Sequence, residues 1–211
     1  SVQMRGTGSL RTLFAECTAE GTLRGIARFE EPIPQVLTPQ SFGEGSLLAI
    51  TIETLAPGAR EPVRYQGVVG LEADSLAEAF ENYFLQSEQL PTRILLAACE
   101  THTAGLLLQQ LPNQNKDVDA WDRVSALFET LGTEELLNTA HDTLLWRLFH
   151  EEGVQLLDHK DLSFGCSCSR SRVEEVMRSL ETEEAMASLE QDLATVHCDF
   201  CGQAYVKKKK N

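Results

Sequence analysis

The stretch GCSCSR, residues 165–170, sets Cys166 and Cys168 two positions apart, and after 29 intervening residues HCDFC sets Cys198 and Cys201 three apart. Four of the chain's six cysteines thus fall in two tight pairs. A cysteine that merely fills a core needs no close partner. Four thiolates, however, can occupy the corners of a tetrahedral zinc site. A C-x-x-C turn brings both sulfurs to one metal, and side chains two apart on an extended chain point to the same side. A lone C-x-x-C is shared with redox motifs, whereas two pairs flanking a helical stretch specify far more. That stretch is short of core. Val173, Val176, Met177 and Leu180 make one apolar face behind a Ser171/Glu174 capping box, and Met186, Leu189 and Leu193 make another behind Thr182. A module of roughly 46 residues with so little apolar surface needs a staple.

The competing use of such cysteines is as structural disulfides in an exported protein. The opening SVQMRGTGSL has no basic-then-apolar export signal, and the runs LLAITI and ILLAA are too short to span a bilayer. A cytoplasmic chain with reduced thiols is the expectation. Cys17 and Cys99 are left over, each in an apolar strand pattern, and are expected to be buried and inert. The C-x-C spacing suggests more than a structural site. Two residues of extended chain separate Cα atoms by about 6.6–7 Å, while a comfortable disulfide wants roughly 5.5–6 Å. A Cys166–Cys168 bond would be strained, and strained exposed disulfides are the easily reduced, regulatory ones. The four cysteines can hold zinc when reduced or form two local disulfides when oxidised. The second state ejects the metal and much of the module's folding energy.

The remaining residues divide into two parts. Segments 1–6, 12–19, 22–30, 46–55 and 63–72 alternate apolar with polar between Gly and Pro and read as strands of an antiparallel sheet. Over 75–89 the period changes, with Leu76, Ala79, Phe80, Tyr83 and Phe84 on one helical face behind a Ser75/Glu78 capping box. Segments 92–99 and 104–111 form a hairpin around His102. The predicted fold class is α+β: an antiparallel-sheet core domain with helices over 1–112, a helical linker over 113–165 and a small C-terminal zinc-binding module over 166–211. In the linker, Val118, Trp121, Val124, Phe128 and Leu131 keep helical spacing, Thr133 caps a short helix, and Asp142 caps another carrying Leu144, Leu145, Leu148 and Phe149. Short amphipathic helices gain most of their stability from tertiary contacts, so these must lean on the first domain or on the cysteine module.

The chain carries a net charge of −14, which repels phosphate backbones and makes nucleic acid a poor partner. Between the cysteine pairs there are seven acidic residues against Arg170, Arg172 and Arg178, which disfavours a zinc-ribbon interaction module that binds nucleic acid. The Lys207–Lys210 run reads as a solvated tail. A thiol–disulfide oxidoreductase, the other alternative, needs its C-x-x-C at a helix start in a thioredoxin-like setting, and HCDFCG has none. His197 is dispensable as a ligand beside four thiols, and His150 reads as a surface or capping residue. No phosphate loop or nucleophile triad is present, so no enzyme activity is expected.

CSC and CDFC at this separation, together with RYQGVVGLE (64–72), YFLQSEQLPTR (83–93), TEELL (133–137) and LLWRLFHEE (144–152), closely resemble the heat shock protein 33 family in sequence and in order. The resemblance runs from residue 1 to about residue 205. It implies a redox-regulated, ATP-independent holdase chaperone of the oxidative stress response, inactive when reduced and zinc-bound. Oxidants would form Cys166–Cys168 and Cys198–Cys201 disulfides, release zinc, unfold the module and linker, and yield active homodimers that bind unfolded client proteins. Client-binding candidates are Trp121, Phe128, Leu144, Leu148 and Phe149 on the linker's apolar faces. Family members carry a further N-terminal segment and continue past the last cysteine with apolar sequence, so the first domain is expected to lack a segment.

Overall fold

The computed structural model describes residues 1–33, 35–59, 61–112, 117–179 and 193–208. The chain forms two compact units, one of Ser1–Phe14 with Ala27–His159, the other of Ala15–Ile26 with the residues from Lys160 onward. The class is α+β with antiparallel sheets and few helices.

In the first unit β1 (Val2–Arg5), β2 (Leu10–Cys17), β3 (Thr22–Phe29), β4 (Leu47–Thr54) and β5 (Val63–Gly70) lie in the sheet order β5-β4-β1-β2-β3. The tip of the β2–β3 hairpin belongs to the second unit. Antiparallel register sets Val2 opposite Ile50 and Leu48 opposite Val69. Period-two alternation turns Met4, Leu48 and Ile50 inward, where they meet Leu10, Phe42, Leu71, Ala79 and Tyr83 in one buried cluster. Ala79 and Tyr83 come from α1 (Leu76–Tyr83), spaced four apart on its inner face. Gly67 in β5 makes that packing feasible, because a Cβ there would collide with the Tyr83 ring. Ser75 caps α1 by accepting from the Glu78 amide at 3.1 Å, but the Glu78 carboxylate reaches back to the Asp74 amide rather than to Ser75. One π-helical turn, Phe84–Glu88, follows, and Gln89 ends it with φ of 57°.

The hairpin β6 (Thr92–Ala98) and β7 (Thr103–Gln109) supports three short helices: α2 (Ala120–Glu129), α3 (Thr133–Asn138) and α4 (His141–Phe149). Leu131, Leu136 and Leu144 are buried together, with Leu95, Ala97, Ala104, Leu106 and Leu148 packed around them. The linker helices therefore lean on the first unit's hairpin. Their caps differ from the sequence reading. Gly132 occupies the N-cap of α3, with Thr133 already inside the helix. Ala140 precedes α4, and Asp142 lies in its first turn. Val118 falls short of α2 and is exposed.

In the second unit the hairpin tip turns at Gly21 (φ 83°), and Thr22 and Leu23 pair in parallel with β8 (Ser163–Phe164). Then come α5 (Arg170–Ser179) and the antiparallel pair β9 (Leu193–His197) and β10 (Ala204–Lys208). Ser169, not Ser171, caps α5, accepting from the Arg172 amide at 3.3 Å, while Glu174 pairs with Arg170 at 3.1 Å. The apolar face expected behind Thr182 lies outside the described residues, apart from Leu193 at the start of β9.

Candidate metal centre

The first cysteine pair follows β8 directly. Gly165 donates its amide to the Leu23 carbonyl at 3.0 Å, and a Cβ at Gly165 would lie 2.7 Å from the Thr22 side chain. Glycine at this position lets the chain run close against β3 and deliver Cys166. The second pair occupies the turn between β9 and β10. The Cys198 amide bonds the Gln203 carbonyl at 2.9 Å, the Gly202 amide bonds the Cys198 carbonyl at 2.8 Å, and Gly202 takes φ of 70°, a left-handed conformation suited to glycine. Cys198 and Cys201 thus sit in a strand–turn–strand element rather than in the first turn of a helix, which is not the setting of an oxidoreductase C-x-x-C.

The two pairs meet. Cys166 Sγ lies 3.6 Å from Cys198 Sγ, and Cys168 Sγ lies 3.4 Å from Cys201 Sγ. All four sulfurs fall within 4.8 Å of one another. Zinc–sulfur bonds of about 2.3 Å in a tetrahedron set sulfurs roughly 3.8 Å apart, so the cluster has the dimensions of a tetrathiolate site, and its all-sulfur donor set suits zinc. His197, the neighbour of Cys198, is outside the cluster. All six cysteines are free thiols.

The surroundings favour thiolate at one corner and thiol at another. The Cys168 amide, followed by the neighbouring thiols, overcomes burial and brings Cys166 down to about 6. The Gln203 amide favours the Cys201 thiolate, but hydrogen bonding with Cys168, burial and the other two thiols outweigh it and push Cys201 up to about 12. Three residues that the sequence reading missed hold these loops. Tyr205 donates its hydroxyl to Cys168 Sγ at 3.1 Å. Arg172 reaches the Ser167 carbonyl at 2.9 Å. Arg24, from β3, donates to the Ser167 hydroxyl at 2.6 Å and approaches Cys166 Sγ at 3.9 Å. Tyr205 had a signal, since strand alternation puts it opposite Val196 with its side chain on one face of the pair. Arg24 had none, being 142 positions from Cys166.

A model of the Hsp33 protein family matches residues 1–208. The chain belongs to the Hsp33 family. It is 42% identical over 205 residues to the 33 kDa chaperonin of Nitrosococcus oceani, covering 97% of this chain and 69% of that one. It is 38% identical over 206 residues to the 33 kDa chaperonin of Chromobacterium violaceum, with the same coverage. The crystal structure of the 33 kDa chaperonin from Thermotoga maritima superposes with a TM-score of 0.79 over 99% of this chain and 73% of that one, at 20% identity, and shares its fold. Residues 1–208 thus carry the family's fold, with a cysteine cluster that can bind metal. No helix among the described residues is long and apolar enough to cross a membrane.

The client-binding candidates of this Hsp33-family chain are covered in this state. Phe128, Leu144 and Phe149 are buried, and Trp121 and Leu148 are half-buried. Cys17 and Cys99, expected to be buried, are both exposed. Cys17 ends β2 where the alternation points outward, and Cys99 lies past the end of β6 in the turn closed by its amide on the His102 carbonyl at 2.9 Å. The turn also makes the Cys99 thiol more acidic than usual. The thiol is brought down to about 7 by hydrogen bonds from Thr101 and its backbone and from the His102 backbone, with the His102 ring 3.2 Å away. A lowered value means thiolate predominates above about pH 7, so iodoacetamide labelling of Cys99 should rise to half-maximum near pH 7. An exposed ordinary thiol does so near 8.5. Mass mapping of the modified peptides checks this, and a half-maximum above pH 8 would refute it.

Proposed function

We propose that this chain is a redox-regulated, ATP-independent holdase of the cytoplasm, with no catalytic activity of its own, whose switch is Cys166, Cys168, Cys198 and Cys201. The observation that carries the reading is the convergence of two distant thiol pairs at tetrathiolate spacing. Family membership supports the chaperone role, and named relatives are chaperonins. Zinc, when bound, would tie the four thiolates together and hold the second unit closed. Under peroxide, each local pair of thiolates would lose two electrons to one peroxide, which takes two protons from water and becomes two water molecules, leaving the Cys166–Cys168 and Cys198–Cys201 disulfides. The disulfide sulfurs no longer serve as ligands. The chain would then act in three parts: a core domain over 1–112, a linker over 113–165 that opens, and the switch module over 166–211. Exposed linker residues Trp121, Phe128, Leu144, Leu148 and Phe149 would bind unfolded clients through the hydrophobic effect, in a homodimer kept soluble by net negative charge.

Metal analysis by native mass spectrometry should find one zinc per reduced chain. Free-thiol titration should find four fewer thiols after peroxide, with zinc lost in parallel. Replacing Cys17 and Cys99 with Ser should change neither number for the switch. A reduced, folded chain without metal would end this reading.

A further inference from the structure

One guanidinium bridges both cysteine loops. Arg24 Nη1 donates to Ser167, the residue between Cys166 and Cys168, and its Cζ lies over Phe200, 4.5 Å from the ring centre, Phe200 being one of the two residues between Cys198 and Cys201. Its Nε is anchored on Glu16 Oε2 at 2.6 Å, across the hairpin in β2. The Arg24 side chain is 17% exposed; its bond to Glu16 is part-buried and its bond to Ser167 is exposed. We infer that Arg24 is a positioning residue that clamps the two cysteine loops into one site and so sets how readily that site gives up its metal.

The chemistry requires arginine. The planar fork presents separate N–H groups to Glu16 and to Ser167 while its face stacks on Phe200, and a lysine ammonium cannot do all three. The third approach, to Cys166 Sγ at 3.9 Å, places a fixed positive charge beside the thiolates. A dication ringed by four thiolates keeps surplus negative charge, which a nearby cation offsets. Groups that touch metal ligands from outside in this way orient them and commonly tune affinity by about 10–100-fold. Glu16 keeps the guanidinium from swinging away. It pairs with a half-buried partner, and its loss would free Arg24 without removing it.

The inference rests on the metal-site reading above, and two measurements separate the two. In the zinc-loaded protein, Arg24→Ala should lose zinc to a chromogenic chelator at least about 10-fold faster than wild type. Arg24→Lys, which keeps the charge but not the fork or the stack, should fall between them, and so should Glu16→Gln. In the reduced protein as purified, hydrogen exchange over 165–168 and 198–203 should rise together in Arg24→Ala, with α5 unchanged. Zinc loss within about twofold of wild type in Arg24→Ala, or full rescue by Lys, would overturn the clamp. So would an exchange increase spread evenly over α5 and β9–β10, which marks general loosening. A wild-type protein that binds no zinc defeats the metal-site reading alone, and the exchange data still decide the clamp.

Discussion

Peroxide treatment of the reduced, zinc-loaded chain is expected to turn on suppression of client aggregation in the absence of ATP. Every fully buried hydrophobic side chain among the described residues belongs to the first unit, from Met4 to Phe149, and none to the second. The described part of the second unit is tied by strand pairing and by the thiol cluster. Structural zinc contributes on the order of 10 kcal/mol or more in small modules, so its loss should unfold this unit. The linker should respond differently. Its helices pack on β6–β7 within the first unit through Leu131, Leu136 and Leu144. Hydrogen exchange after oxidation should accordingly rise first across 160–208, and across 120–152 only with added heat. Light scattering of a thermally unfolding client, with reduced and oxidised protein side by side, reads the functional half. Equal protection by the reduced form would refute the switch. A linker that stays protected in oxidised protein at the temperature where clients are held would refute the assignment of client binding to Trp121, Phe128, Leu144, Leu148 and Phe149.

Leu144→Ala is expected to cost about 2–5 kcal/mol, the range for emptying a well-packed leucine site. Leu144 is 2% exposed and sits between α3, the end of α2 and the β6–β7 hairpin, so few neighbours can collapse into the space. Its removal should loosen α4 without touching any thiol. Zinc content of the reduced variant should stay at the wild-type value, while the temperature at which the oxidised variant begins to hold clients should fall. Differential scanning calorimetry measures the first effect, and aggregation assays at stepped temperatures measure the second. A variant destabilised by less than about 1 kcal/mol would mean that this cluster is not what secures the linker. An unchanged temperature threshold in a destabilised variant would separate linker opening from client capture.

The strands were legible because each presents one face to a core, and alternation records that directly: the reading of 46–55 and 63–72 brackets β4 and β5 closely. The cysteine cluster was legible because paired spacing reflects local geometry that any metal site shares. Helix caps were legible at Ser75 but not elsewhere. Ser171 and Thr133 satisfied the pattern, yet Ser169 and Gly132 take the cap positions, since a shift of one or two residues changes little in side-chain chemistry. The burial expected of Cys17 and Cys99 failed because an apolar run does not announce its last inward-facing residue. Arg24, Glu16 and Phe200 could not be seen at all. Their meeting depends on how a hairpin tip and two loops fold onto each other, and no periodicity encodes it.

Two close sulfur approaches in the cluster run across the pairs, Cys166 to Cys198 and Cys168 to Cys201, at sequence separations of 32 and 33. Oxidation at this centre would therefore set two bonding patterns against each other, with opposite results. Bonds across the pairs would close long loops, restrict the unfolded chain by about 3–4 kcal/mol each, and weld the second unit shut without metal. Bonds within the pairs close almost no loop and leave the unit free to open. Thiols this close across the pairs are ones whose union would jam the proposed switch, and its reversibility would depend on the loops parting before the second bond forms.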